Sequence, residues 1–251
     1  AGSAGEWIES WSSMLTVTPD YSAPMRRAFR DWLRRAYGGD VAALRAAWGD
    51  ASASFEPAVV PPAPRQLGAT RGLFRDPVKE RDVVDFFACL ADVAADDLLE
   101  FCRTVKDETG RDKLTGAFFG YLMEIAWNVD FFADGAQDPA LIASGEYATY
   151  QRSGHLGLRK VLQSGDIDFL VSPYSYGFRG VGGDGLPMQP GESLRHHGKL
   201  YLMEEDTRMH NNFDPPLSAA GDRPAFEGGR MHPPATTMAV YRRHVAQVLT
   251  H

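Results

Sequence analysis

Three acidic residues stand side by side where a short apolar run stops. In the stretch KLYLMEEDTRMH (199–210), Leu200, Tyr201, Leu202 and Met203 have the character of a buried strand, and Glu204, Glu205 and Asp206 follow at once. Like charges this close repel one another, so the arrangement costs stability unless a cation or a ligand uses it. A carboxyl group whose pKa is set by such neighbours is the equipment of a nucleophile or a general acid. Arg208 is the expected partner of Asp206 or Glu205, and His210 follows closely enough to touch a bound substrate. Glu204 with Asp206, and Tyr174 with Tyr176, are two positions apart, so each pair faces one way along an extended chain. The competing reading is an ion-pair cluster that caps a strand.

Glycoside chemistry needs a second carboxyl group, one to protonate the leaving oxygen while the other attacks the anomeric carbon. The segment GSAGEWIESW offers Glu6 and Glu9. Glu6 follows a small-residue turn and precedes Trp7, which would desolvate the carboxyl group and raise its pKa as a general acid requires. Glu9 suits a solvent-facing position better, and Glu124, after LTGAFFGYLM, is a third candidate. Trp7, Trp11, Tyr121, Tyr174 and Tyr176 are the rings that would stack on the C–H surface of a sugar; the core is the competing place for each.

Such residues need elements that bring strand ends together. Helical spacing marks 24–37, where Ser22 is the expected N-cap and Met25, Phe29, Trp32 and Leu33 recur on one side. A second helix over 40–48, capped by Asp40, follows the Gly38–Gly39 stop. Prolines at 57, 61, 62 and 64 predict a long surface loop over 50–76. The helix expected over 77–107 has Val84, Phe87, Leu90, Ala91, Ala94, Leu98, Phe101 and Val105 on its apolar side. Asp92, Asp96, Asp97 and Glu100 form its solvated face. Strands are expected at 114–123, 167–172 and 199–203, and further helices at 147–162, 190–197 and 236–249. Near-continuous apolar strands that alternate with helices predict a single α/β domain over 1–251, its parallel sheet covered on both faces. In such folds chemistry gathers at the carboxyl ends of the strands. Gly120, Tyr121 and Glu124 stand at the first end, Ser172, Pro173, Tyr174 and Tyr176 at the second, and the acidic cluster at the third.

Composition narrows the partners. With 251 residues, 44% of them apolar, the chain can bury a sizeable core. Its net charge of −7 argues against a nucleic-acid partner, because phosphates call for a basic surface. Charges are dispersed, with no basic block for a membrane surface and no run of about 18 apolar residues to span one. Cys89 and Cys102 fall on one expected helix, roughly 20 Å apart at 1.5 Å rise per residue, and read as buried free thiols. His196, His197, His210 and His232 lack metal-ligand spacing, and Ser172 and Ser175 lack a Gly-x-Ser-x-Gly elbow. GVGGDG (180–185) lacks the helix and the acidic residue of a dinucleotide site, and reads as a substrate-side loop. No metal and no organic cofactor is expected. The chain opens on no signal-peptide pattern and is expected to be soluble, whether cytoplasmic or secreted.

The run YSAPMRRAFRDWLRRAYGGDVAALRAAWGD (21–50) resembles the region after the acid/base glutamate in glycoside hydrolase family 42, the barrel β-galactosidases. TGAFFGYLME, SGHLGLRKVL, DIDFLVSPYSY and HGKLYLMEEDTR resemble strands five, six and seven of related clan A glycosidase barrels. The resemblance implies a (β/α)8 barrel, a retaining mechanism and a β-galactoside or similar β-linked substrate. It places the nucleophile on Glu204 and the acid/base on Glu6. Asp206 and Arg208 would then hold Glu204 ionised and oriented, while Tyr174 and Tyr176 border the sugar. Gly5 departs from the clan pattern, in which Asn precedes the acid/base and contacts the sugar 2-hydroxyl. The resemblance also implies that strands one to three and strand eight lie outside 1–251. An incomplete barrel has open edges that pair with another chain, so a homo-oligomer is expected. The alternative is a non-catalytic, carbohydrate-binding or structural remnant of such a barrel.

Overall fold

The computed structural model describes residues 20–67, 75–127, 151, 153–207 and 234–250. Glu6, Trp7, Glu9, Trp11, Arg208 and His210 lie outside these. Helix α1 (Ala23–Ala36) begins as its sequence predicts: Ser22 Oγ accepts the Met25 N–H at 3.2 Å, and a proline occupies the first turn. Met25, Phe29 and Leu33 form its buried stripe. Helix α2 (Val41–Trp48) is capped by Asp40, whose Oδ1 accepts the Ala42 N–H at 2.8 Å.

The stretch expected as a long surface loop over 50–76 is, where described, mostly irregular and exposed, with a few buried anchors. Ala53, Ala58 and Val60 are buried, and a short helix, α3 (Ala63–Leu67), interrupts it. The buried Arg75 guanidinium donates to Gln151 at 2.7 Å and to Glu80 at 3.2 Å. Prolines lower the entropy lost when an irregular segment is ordered, so they serve a packed segment as well as an exposed one.

Helix α4 (Arg81–Glu108) spans 28 residues, about 42 Å, and joins two apolar clusters. Val83, Phe86, Phe87 and Leu90 pack with Phe29, Leu33 and Leu44 of α1 and α2. Ala95, Leu98, Leu99 and Cys102 pack against the sheet. The expected apolar side holds from Phe87 to Leu98 and fails beyond. Phe101 is 72% exposed and Val105 43%, because the buried stripe runs on through Leu99, Cys102 and Lys106. Both cysteines are buried and free, and burial pushes the Cys89 thiol up to about 12, far from a reactive thiolate. Where α1, α2 and α4 meet, the buried Asp85 carboxylate accepts from Tyr37 Oη (2.6 Å), Trp48 Nε1 (2.8 Å) and Arg81 Nε (2.8 Å). Burial first, and Asp85 second, push the Tyr37 hydroxyl up to about 12.

Strands β1 (Gly116–Phe118), β2 (Phe169–Pro173) and β3 (Leu200–Glu204) form a parallel sheet in that order. The register aligns Phe118 with Val171 and Val171 with Leu202. Helix α5 (Leu122–Trp127) follows β1. A 3-10 turn (His155–Gly157) runs into α6 (Leu158–Gln163) before β2, α7 (Gly191–His196) precedes β3, and α8 (Pro234–Thr250) is the last described element. The protein is thus of mixed α/β type, and the described residues hold three parallel strands without a closed barrel. At the amino ends of the strands, Lys106 of α4 donates to the Lys113 carbonyl at 2.8 Å and to Asp168, which also accepts the Thr115 N–H at 2.8 Å.

Among the described residues helices cover one face of the sheet, where cover on both was expected. Ala117, Leu170 and Tyr201 lie under α4, α6 and α7. On the opposite face Leu200 is 54% and Leu202 44% exposed. The first strand also stops earlier than expected. Gly120, at φ 87°, turns the chain, and α5 begins two residues on. Among the described residues no helix is long and apolar enough to cross a membrane.

The Asp85 junction sets a stability test. Asp85→Ala leaves two half-buried donors and the partly exposed Arg81 guanidinium without their acceptor, and should destabilise the fold by about 2 kcal/mol. Urea unfolding checks this, and an unchanged midpoint would show that the junction carries no stability.

Candidate functional site

The polar residues gather at the carboxyl ends of the three strands. After β1, Gly120 donates its N–H to His155 Nδ1 at 2.7 Å, and the His155 ring stacks on Tyr121 at 5.1 Å between centroids. Residue 120 must be glycine, since a Cβ would come within 2.7 Å of Leu158 Cδ1 and φ is positive. Glu124, in the first turn of α5, is fully buried, and its Oε1 accepts the Tyr176 N–H at 3.0 Å. That bond ties the exit of β1 to the exit of β2. Gln189 ties them again, donating from Nε2 to the carbonyls of Phe119 and Val171.

Beyond β2, Ser172 Oγ meets Tyr201 Oη at 2.7 Å, and Tyr174 forms an isolated bridge with Pro187. Tyr174 is buried, and its ring lies on His244 of α8 at 3.8 Å, while its Oη donates to the His244 carbonyl at 2.7 Å. Tyr176 is buried beneath the Arg179 guanidinium, 4.3 Å from the ring centroid. Tyr121, Tyr174 and Tyr176 are therefore not bare stacking platforms. Each has a ring face taken by a protein cation or imidazole, because an aromatic at a strand end is driven into the packing around it.

After β3, each of two carboxylates has its own cation or donor. Asp206 pairs with Arg179. Glu205 Oε2 meets His244 Nδ1 at 2.6 Å, and Glu205 Oε1 accepts the Thr207 N–H at 3.1 Å. Arg243 Nη2 lies 2.8 Å from His244 Nε2. A guanidinium only donates, so Nε2 accepts, and the proton on Nδ1 goes to Glu205. Glu204, in contrast, has no hydrogen-bond or ion-pair partner among the described residues and reaches solvent. Arg208, the partner expected from sequence, lies outside the described residues; among those described, Arg179 meets Asp206 and His244 meets Glu205. Sequence reasoning missed both. Arg179 stands three residues after Tyr176 in a glycine-flanked loop, and His244 continues the buried stripe of Thr237 and Val240 on α8.

Electrostatics separate the three acids. Burial first, and the Asp206 charge next, push the Glu204 carboxyl above the ordinary range, with Arg179 opposing. Burial also raises Glu205, but the bonds from His244 and Thr207 outweigh it and hold that group low. Burial and the Glu205 charge push the Tyr174 hydroxyl up to about 12. Ser175 Oγ, Gln189 Oε1 and Thr207 Oγ1, on the segments leaving β2 and β3, are buried with no partner among the described residues.

A separate groove, lined by Trp32, Arg35, Asp92, Asp96 and Lys160, shares no residue with the strand ends. Its charges are already matched: Lys160 lies 2.6 Å from Asp96, and Trp32 Nε1 donates to Asp92 at 2.7 Å. No three His, Cys, Asp or Glu side chains among the described residues gather as a metal site. The chain matches no family model, no curated protein and no solved structure.

The two glutamates should affect stability in opposite senses. Glu204, its pKa raised by folding, stabilises fully below its unfolded pKa and loses that contribution as pH rises through the folded value. Glu205, its pKa lowered, contributes above its unfolded pKa and loses it as pH falls through the folded value. At neutral pH Glu204→Gln should raise Tm by about 1–2 °C, the modest scale of a solvent-screened charge. Glu205→Gln should lower it. Both differences should fade in acid, and thermal melts across pH would contradict this if the two variants shifted alike.

Proposed function

We propose that this chain provides strand ends of a (β/α)8-type glycosidase barrel and acts as a retaining glycoside hydrolase on a β-galactoside or similar β-linked sugar. The observation that carries the reading is the end of β3, where Glu205 and Asp206 are held by His244 and Arg179 while Glu204 keeps its carboxyl free for a ligand. The Glu204 carboxylate attacks the anomeric carbon as the carboxyl proton of Glu6 passes to the leaving oxygen. Water, deprotonated by Glu6, then cleaves the glycosyl ester and releases Glu204. Arg179 favours the ionised Glu204 that attack requires, against the burial that opposes it. Tyr121, Tyr174 and Tyr176 brace the site from behind, and Trp7, Arg208 and His210 border the sugar.

Trapping with a fluoroglycoside tests the reading, because only a working nucleophile gains the glycosyl mass. Glu204→Gln should abolish both trapping and turnover; substantial retained activity would sink the assignment. Sugar binding without trapping would favour the non-catalytic remnant. The exposed Leu200 and Leu202 on the uncovered sheet face support self-association. Light scattering at high concentration should show a species larger than the 27.6 kDa chain, and a monomer would count against it.

A further inference from the structure

The glycine-rich segment GFRGVGGDG (177–185) has no helix or strand of its own, and α8 supplies what holds it. Arg243 donates from Nη2 to the Arg179 carbonyl at 2.6 Å, and from Nη1 to the carbonyls of Gly180, at 3.1 Å, and Gly183. Gln247 Nε2 donates to the Asp184 carbonyl. One guanidinium fork thus spans three loop carbonyls and His244, a geometry that a lysine ammonium cannot reproduce. The approach is close because residue 185 is glycine. At φ 68°, a Cβ there would lie 2.7 Å from Gln247 Oε1 and 3.0 Å from His244 Cδ2. The same loop carries Arg179, whose guanidinium lies on Tyr176 and pairs with Asp206.

We propose that α8 is a clamp on this loop, and that Arg243 and Gln247 are positioning residues that act through the loop backbone to set Arg179 between Tyr176 and Asp206. Neither residue touches Glu204 in this role. They decide where the nearest cation stands. The clamp therefore links a helix distant in sequence to the charge balance at the end of β3. As a statement about catalysis this rests on the glycosidase reading; as a statement about the loop and its cation it does not.

The test uses Arg243→Lys and Gly185→Ala, which weaken the grip from opposite sides and leave every carboxylate in place. Amide hydrogen exchange over 177–186 should accelerate about tenfold or more in both, with α4 and the sheet unchanged. The Glu204 carboxyl titration, followed by 13C NMR and assigned with Glu204→Gln, should move to higher pH in both variants, because a cation that opposes protonation has been loosened while Asp206 remains. Arg179→Met should move it in the same direction, and adding Arg243→Lys to Arg179→Met should change it little further. Unchanged protection in the loop would overturn the clamp. So would an opened loop with an unmoved Glu204 titration, or loss of protection spread across α4 and the sheet in both variants. Failure of the native protein to trap a fluoroglycoside would sink the glycosidase reading alone, since exchange and titration still decide the clamp.

Discussion

Three carboxylates at the end of one strand can coexist only if each has different surroundings, and the long-range contacts at this end of the molecule answer that demand. Repulsion between unit charges a few ångströms apart reaches several kcal/mol near a protein surface. Asp206 is answered by a guanidinium seated on an aromatic ring, and Glu205 by an imidazole whose other nitrogen is already occupied. Glu204 is the residue left over. Burial first, and the Asp206 charge next, push its carboxyl above the ordinary range.

The supports for this end are themselves supported. Helix α4 carries two apolar clusters on one continuous body, so the α1–α2 layer and the sheet are placed by a single rigid element. At the amino ends of the strands, Lys106 and Asp168 pin the start of β1 to β2. At the carboxyl ends, Glu124 and Gln189 cross between the exits of the same two strands. Polar crosslinks at both ends leave the middle of the sheet to apolar packing. This division is common in parallel α/β proteins, where one end serves stability and the other chemistry.

The sheet is also one-sided. Parallel strands ordinarily have both faces covered, since their apolar runs leave no solvent-suited side. Here, among the described residues, Leu170 is buried and Tyr201 half-buried under helices while Leu200 and Leu202 meet solvent. An apolar face of this kind suits contact with further protein.

What was legible in the sequence was local. Caps at Ser22 and Asp40, the Gly38–Gly39 stop, the apolar runs of β2 and β3 and the buried cysteines follow from interactions within a few residues and stand where the sequence places them, whereas the first run is cut short at Phe118. The cluster of acids at the end of β3 was legible too, because composition at a strand end needs no knowledge of the fold. The partners were not. Arg179 and Asp206 are 27 residues apart, and His244 and Glu205 are 39 apart, whereas the nearest cation in sequence is Arg208. The buried anchors Ala53, Ala58 and Val60 within the 50–76 stretch and the exposure of Phe101 escaped for the same reason. By itself the sequence determined the caps, most of the helices and that acids crowd one strand end. Only the tertiary structure decided where the first strand stops and, among the described residues, which side chain meets which acid, because that choice depends on how distant segments pack and not on their order along the chain.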